Sequence, residues 1–281
     1  MENLKGGTSE IAGRPPGVTG RQETGPPVVA RYAVASTSAP SIRQVVTIAD
    51  CVHGALCKLS GERPGSAAVF TGPGGDGTAR ADHQHAHVFC ESNGSRDAIT
   101  HITIWAAMGF DEEACLVLRR LTKVWGHGSP DIRIVLQGIG RRQDFPDCAF
   151  FGESKVWRSY TPFVGTRHAK RYRDGRPKID ANGWQTGSAG HDLLRLLALH
   201  PWGGGAIIKQ YDERDGWFRF GGQRLRSDEF ETVRRGGKGS RGEQNGAAFA
   251  LTFPRPVPGP LALGYGAHFG LGLFVPVAGG R

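Results

Sequence analysis

The feature that most constrains this chain is a stretch near its end, Leu261–Pro276, in which Gly264, Gly266, Gly270 and Gly272 alternate with apolar and aromatic residues. A plain strand disfavours glycine, which costs backbone entropy and packs nothing. Glycine is retained where the backbone turns tightly or closely approaches another backbone or a ligand. The stretch ends in Leu273-Phe-Val275, a short strand pattern, so it reads as a glycine-rich loop feeding a buried last strand. It could equally be a glycine-rich hairpin with no ligand. Glycine is abundant throughout, 43 of 281 residues, which favours many turns and short strands.

Patterning before that loop gives an ordered alternation. Residues 1–27 are polar, rich in Gly, Pro and Thr, and without periodicity, as in a disordered tail. Val28–Ala35 predicts a strand, and Ile42–Leu59 a helix from apolar positions three and four apart. His85–Phe89 and His101–Ala106 predict two more strands. Asp111 opens a second helix whose apolar stripe extends to Trp125, with acids in its first turn and Arg119, Arg120 and Lys123 later, as the helix dipole favours. Ile132–Leu136 predicts a fourth strand. The order β-α-β-β-α-β is that of the split βαβ, ferredoxin-like arrangement. RNA-binding domains of the RRM type share it and present an aromatic, basic sheet face to RNA.

A second module follows, with strands predicted at Tyr160–Val164, Trp217–Phe220, Phe230–Arg235 and Ala247–Phe253 and a helix at His191–His200. The expected fold class is α+β: two tandem ferredoxin-like (RRM-like) domains, 28–140 and a degenerate 141–281, the latter with a C-terminal glycine-rich loop.

Charge narrows the partner. The formal net charge is +9, and Lys155–Asp180 holds eight basic residues, including Lys155, Arg158, Arg167, Lys170 and Arg171, against Asp174 and Asp180. Tyr160, Phe163, Tyr172 and Trp184 lie among or beside them, and a second basic cluster runs from Arg219 to Arg241. Cations neutralise phosphates and aromatic faces stack on unpaired bases, which suits nucleic acid; a solvated basic loop is the simpler alternative. No run is long and apolar enough to span a membrane. The five cysteines include no CxxC pair, so free thiols in a cytoplasmic protein are expected rather than a zinc ribbon.

The sharpest chemical feature is Asp82-His-Gln-His-Ala-His87. Strand alternation would put His83, His85 and His87 on one face. Such a face could hold a metal, or one or two of its imidazoles could move protons near neutral pH. His53, at the edge of the first helix's apolar stripe, could serve RNA cleavage if gathered in space with Tyr32 and Lys58. His168 lies in the basic segment and His268 in the glycine loop.

Four segments in order, His83–His87, Ile102–Asp111, Trp157–Val164 with Arg167–Lys170, and Leu263–Phe274, resemble the repeat-processing subunit of type I-G (formerly I-U) CRISPR systems, a member of the repeat-associated mysterious protein (RAMP) superfamily. The resemblance spans Val28 to Pro276. It implies cleavage of CRISPR precursor RNA within each repeat without a metal or other cofactor. It also implies residence, with the guide RNA, among the other subunits of a type I surveillance complex. The resemblance would also imply an N-terminal RAMP module; residues 1–27 are too few for one, so this sequence is expected to be a short form or a fragment without it. On this reading His85 and His83 are the expected acid and base, with His53 in reserve. Lys155, Arg158, Arg167, His168, Lys170, Arg171 and His268 would contact RNA, and Gly264, Gly266, Gly270 and Gly272 would let backbone approach it. The rival reading is a non-catalytic subunit that only holds the guide.

Overall fold

The computed structural model describes residues 25–36, 38–61, 67–71, 84–92, 97–126, 129–211, 217–220, 223–234 and 246–277. His83 and the expected N-terminal tail up to residue 24 lie outside them.

The first half contains β1 (Val29–Val34), α1 (Val45–Gly61), α2 (Ala67–Thr71), β2 (His87–Glu91), β3 (His101–Trp105), α3 (Glu112–Arg120), β4 (Lys123–Gly126) and β5 (Ser129–Gly140). The five strands form one antiparallel sheet in the order β2-β3-β1-β5-β4. One face of α1, through Val45, Val46, Ile48, Ala49, Val52 and Leu56, is buried in the core. Ala30 and Tyr32 of β1 join that core, and the Tyr32 hydroxyl donates to the Leu118 carbonyl of α3 at 2.7 Å. Asp111 caps α3 by accepting from the Ala114 N–H at 2.7 Å.

Two expected boundaries move. The second helix ends at Arg120, and Val124 and Trp125 lie in β4. Their apolar spacing also suits a strand, and Val124 pairs with Ile132 in a hairpin that a helix could not form. The strand expected from His85 begins at His87, so His85 precedes it.

The second half contains β6 (Glu153–Ser159), α4 (Ala189–Leu197), β7 (Ile207–Gln210), β8 (Trp217–Phe220), β9 (Gln223–Arg226), β10 (Phe249–Pro258), β11 (Leu261–Ala262) and β12 (Leu273–Pro276). β8 and β9 pair as a separate hairpin; the others form a second antiparallel sheet, β11-β12-β6-β10-β7. Trp157, Phe163, Leu193, Leu197, Phe249, Leu251 and Phe274 fill its core. The molecule thus has two α+β units, each on an antiparallel sheet.

Tyr160–Val164, expected as a strand, instead follows β6, whose own pattern is hidden because exposed Glu153 and Arg158 alternate with buried Ser154, Trp157 and Ser159. Phe230–Arg234 forms no strand; Phe230 packs into the first core and Arg234 pairs with α1.

A third apolar cluster joins the units. Phe89 of β2 meets Phe150, Cys148, Leu273 and Val275, with Trp105 and Tyr160 partly buried beside them. Phe89 and Phe150 lie edge to face at 5.6 Å. The aromatic sheet face that an RRM-like reading would offer to RNA is therefore filled, at β2, by the second unit. Within the first unit the Arg31–Glu91 ion pair ties β1 to β2, with N···O distances of 3.0 and 2.8 Å.

Candidate functional site

The glycine loop builds the site. Between β11 and β12 it forms a 3-10 turn, Ala267–Phe269, bracketed by Gly266 (φ 70°) and Gly270 (φ 76°). A Cβ on Gly270 would lie 2.6 Å from a Val45 methyl and 3.1 Å from the Val88 carbonyl; one on Gly272 would lie 1.8 Å from the Leu263 carbonyl. The Cβ sites of Gly264 and Gly266 are likewise occupied by Val164 and Phe163, and by Leu271. These glycines let the loop close onto its own stem, α1 and β2. Thr161 locks the stem, donating to the Gly270 carbonyl at 2.7 Å and accepting from the Leu273 N–H at 3.0 Å.

This seating delivers consecutive residues to two places. His268 enters between two histidines of the first unit. Its ring lies 3.8 Å from that of His85, at an interplanar angle of 4°, and 3.7 Å from that of His87, at 29°. Its Nδ1 lies 3.2 Å from the Ala86 carbonyl, and His87 Nδ1 lies 3.1 Å from the His85 carbonyl. A carbonyl only accepts, so each Nδ1 carries a proton. His87 is buried, with Trp105 against it at 5.2 Å, whereas His85 and His268 are half-buried.

Phe269 turns the other way and meets His53 of α1 edge to face at 5.3 Å. The Arg234 guanidinium lies 3.4 Å above the Phe269 ring and is paired with Asp50, one turn before His53, at 3.0 Å. Burial lowers the His53 pKa below the ordinary 6.5 and the Arg234 charge lowers it further; Asp50 and a hydrogen bond with the Phe70 backbone oppose this incompletely. The Cys57 thiol, 3.6 Å from His53 Nε2, is pushed up by burial. Of the residues expected beside His53, the Tyr32 hydroxyl donates to the Leu118 carbonyl, and the Lys58 ammonium lies over the Trp125 ring at 5.6 Å.

Of the sequence candidates, then, His85 and His53 are brought to the two sides of one turn, joined by His87 and His268. Sequence reasoning missed Arg234 and Asp50 as their neighbours. The only signal was that Arg234 sits in the second basic cluster. Among the described residues no group of three His, Cys, Asp or Glu side chains could hold a metal.

The basic segment forms a separate, ordered surface. Lys170, Lys178 and Thr186 are tied by backbone hydrogen bonds of 2.7–3.0 Å, and Lys178 and Arg176 lie over the Tyr172 ring at 5.0 and 5.7 Å. Arg167, His168, Lys170 and Arg171 are exposed, as is Arg158 on β6; Lys155 is half-buried. A cavity of ≈ 410 Å³ is lined by Arg167, His168, Ala169, Lys170, Thr186 and Gly187. Beside it, buried Asp192 pairs with the lining residue Arg167 at 3.8 Å. Burial raises that carboxyl, but hydrogen bonds from the Thr166 N–H (2.7 Å) and hydroxyl (2.9 Å) and from Arg195 (2.9 Å) outweigh it and hold the pKa low.

No family model and no curated protein matches the chain. Three solved structures resemble it distantly. A Cas6 product complex shares 13% identity, covers 90% of this chain and 99% of its own, and superposes with a TM-score of 0.37. A RAMP protein binding different RNA substrates shares 10%, covers 89% and 98%, and gives 0.40. Thermus thermophilus Cas6 shares 12%, covers 90% and 100%, and gives 0.32. At such distances these likenesses assign neither a family nor an activity.

Proposed function

We propose that the chain is an endoribonuclease that cuts CRISPR precursor RNA within its repeats, without a metal, and stays with the guide RNA among the subunits of a cytoplasmic surveillance complex. The observation that carries this reading is the assembly of His53, His85, His87 and His268 around one loop turn, beside Arg234. RNA supplies its own nucleophile. A base takes the proton of the 2′-hydroxyl, the 2′-oxygen bonds to phosphorus, and the bond from phosphorus to the 5′-oxygen breaks. The departing oxygen is protonated, leaving a 2′,3′-cyclic phosphate and a 5′-hydroxyl. The proton transfers fall to the gathered histidines, with His83 a further candidate from the sequence. Lys155, Arg158, Arg167, His168, Lys170 and Arg171 would hold phosphates away from the cut.

The fold supports the same reading. In each sheet the unit's first strand is flanked by its third and its last, with the second outermost: β2-β3-β1-β5 and β7-β10-β6-β12. Both follow the split βαβ order, so we take the chain as a duplicated ferredoxin-like arrangement. In the second copy the glycine loop occupies the place of the second helix.

The test is cleavage of labelled CRISPR repeat RNAs in excess EDTA. An RNA with one 2′-deoxy at the cut site runs beside it. Cutting of the first alone is expected, and His85→Ala and His53→Ala should each slow it by roughly 10²-fold or more. Tight binding with no cutting would replace this reading with that of a guide-holding subunit.

A further inference from the structure

In-line displacement at phosphorus places the base and the acid on opposite sides of the reacting atom. Two rings stacked face to face, as His85 and His268 are at 3.8 Å, cannot supply both. The second group must reach the phosphate from elsewhere, and the same turn offers one: His53, on the far side of Phe269. The two places differ in the charge they favour. His53 is half-buried beside Arg234, conditions that favour the neutral imidazole and suit a base. His268 has its Nδ1–H bound to the Ala86 carbonyl and its two faces against neighbouring rings. A positive charge on that ring meets an oxygen lone pair and π density above and below. In its protonated form the remaining N–H is at Nε2, fixed in direction by the Nδ1 bond.

We infer that His268 is the general acid of the cleavage reaction, its Nε2–H passing to the 5′-oxygen as that oxygen leaves with the electron pair of its bond to phosphorus, while His53 takes the 2′-hydroxyl proton. This rests on the RNA-cleavage reading and adds to it a role for a loop residue. Among the described residues, the titratable and charged groups around the turn include His85 and His87 from the β2 side, and His53, Cys57, Asp50 and Arg234 around Phe269.

A leaving group that needs no proton separates acid from base. Replacing the bridging 5′-oxygen at the cut site by sulfur makes the departing thiolate stable without protonation. With the full chain and the repeat RNA in EDTA, His268→Ala should cut the oxygen substrate roughly 10²–10⁴-fold more slowly than the unsubstituted protein. It should cut the sulfur substrate within about tenfold of it. His53→Ala should slow both, because the nucleophile must still lose its proton. His268→Gln, checked by thermal melting to match the parent fold, should repeat the alanine pattern. Equal slowing of both substrates by His268→Ala and His268→Gln would overturn the assignment. If the unsubstituted chain cuts neither substrate, the RNA-cleavage reading itself fails, and this inference fails with it.

Discussion

His53 shows how one residue's surroundings set its chemistry. On sequence spacing it is a core-edge histidine of an amphipathic helix, and the structure keeps it there, half-buried on α1. What the spacing could not show is Arg234, 181 positions later in the chain, arriving over Phe269 beside it. Because burial and that cation depress its pKa below 6.5, the folded chain binds the proton less readily than the unfolded chain does. The stability linked to His53 is thus fully present above the ordinary histidine pKa and is lost as pH falls through the depressed value. His101 is also depressed, by burial first and then by Arg31, and acts in the same direction. Denaturant midpoints should therefore fall between neutral pH and about pH 5. His53→Gln should flatten that fall while leaving the part due to His101. A midpoint that falls equally in parent and variant would show that the surroundings of His53 do not set its proton affinity.

The elements divide by how locally they are determined. α1, with its periodic Val45, Val46, Ala49, Val52 and Leu56, and α3, with its Asp111 cap, were legible because their signals lie within one segment. β6 was hidden because its outward positions are charged, and β7 because a four-residue edge strand after three glycines carries almost no pattern. The loop was legible as a loop, but its partner was not: glycine spacing signals close approach without saying to what. The structure names α1 and β2, and that can be tested. Gly270→Ala puts a side chain in a left-handed conformation, costing roughly 1–3 kcal/mol, and against the Val45 methyl. Val45→Ala removes the methyl at a cost of its own, since Val45 is fully buried. In urea unfolding the double variant should be more stable than the two single losses predict, by at least about 0.5 kcal/mol. Strict additivity would mean that the loop is not seated on α1.

At the scale of the whole molecule, the two halves expected as domains share a core. Val164, Phe230, Ala248, Phe269 and Leu271 from the second half pack into the apolar cluster of the first. Sequence order suggested a boundary near residue 140, because each half has its own strand pattern; packing across it depends on contacts between residues far apart in the sequence, such as Phe89 and Phe150. The same packing closes part of the first sheet's aromatic face, and among the described residues the ordered basic segment is an exposed cationic surface. Arg167 and Arg195 there are balanced by Asp192, and Arg176 by Asp174, so their charges are already partly spent within the protein. Lys170 stands exposed on the wall of the cavity, and neighbouring Arg171 is exposed with its guanidinium on the Gly175 carbonyl. Each phosphate that such a cation neutralises on single-stranded RNA steepens the dependence of log K on log salt by about 0.7. Lys170→Ala should therefore weaken binding of repeat RNA and reduce the measured slope by about 0.7, and the Lys170→Ala/Arg171→Ala pair by about 1.4. Lys123→Ala, on β4 and already paired with Asp131, should leave the slope unchanged. A pair variant with the parent's slope and affinity would place the RNA on some other face and leave the basic segment as a solvated surface.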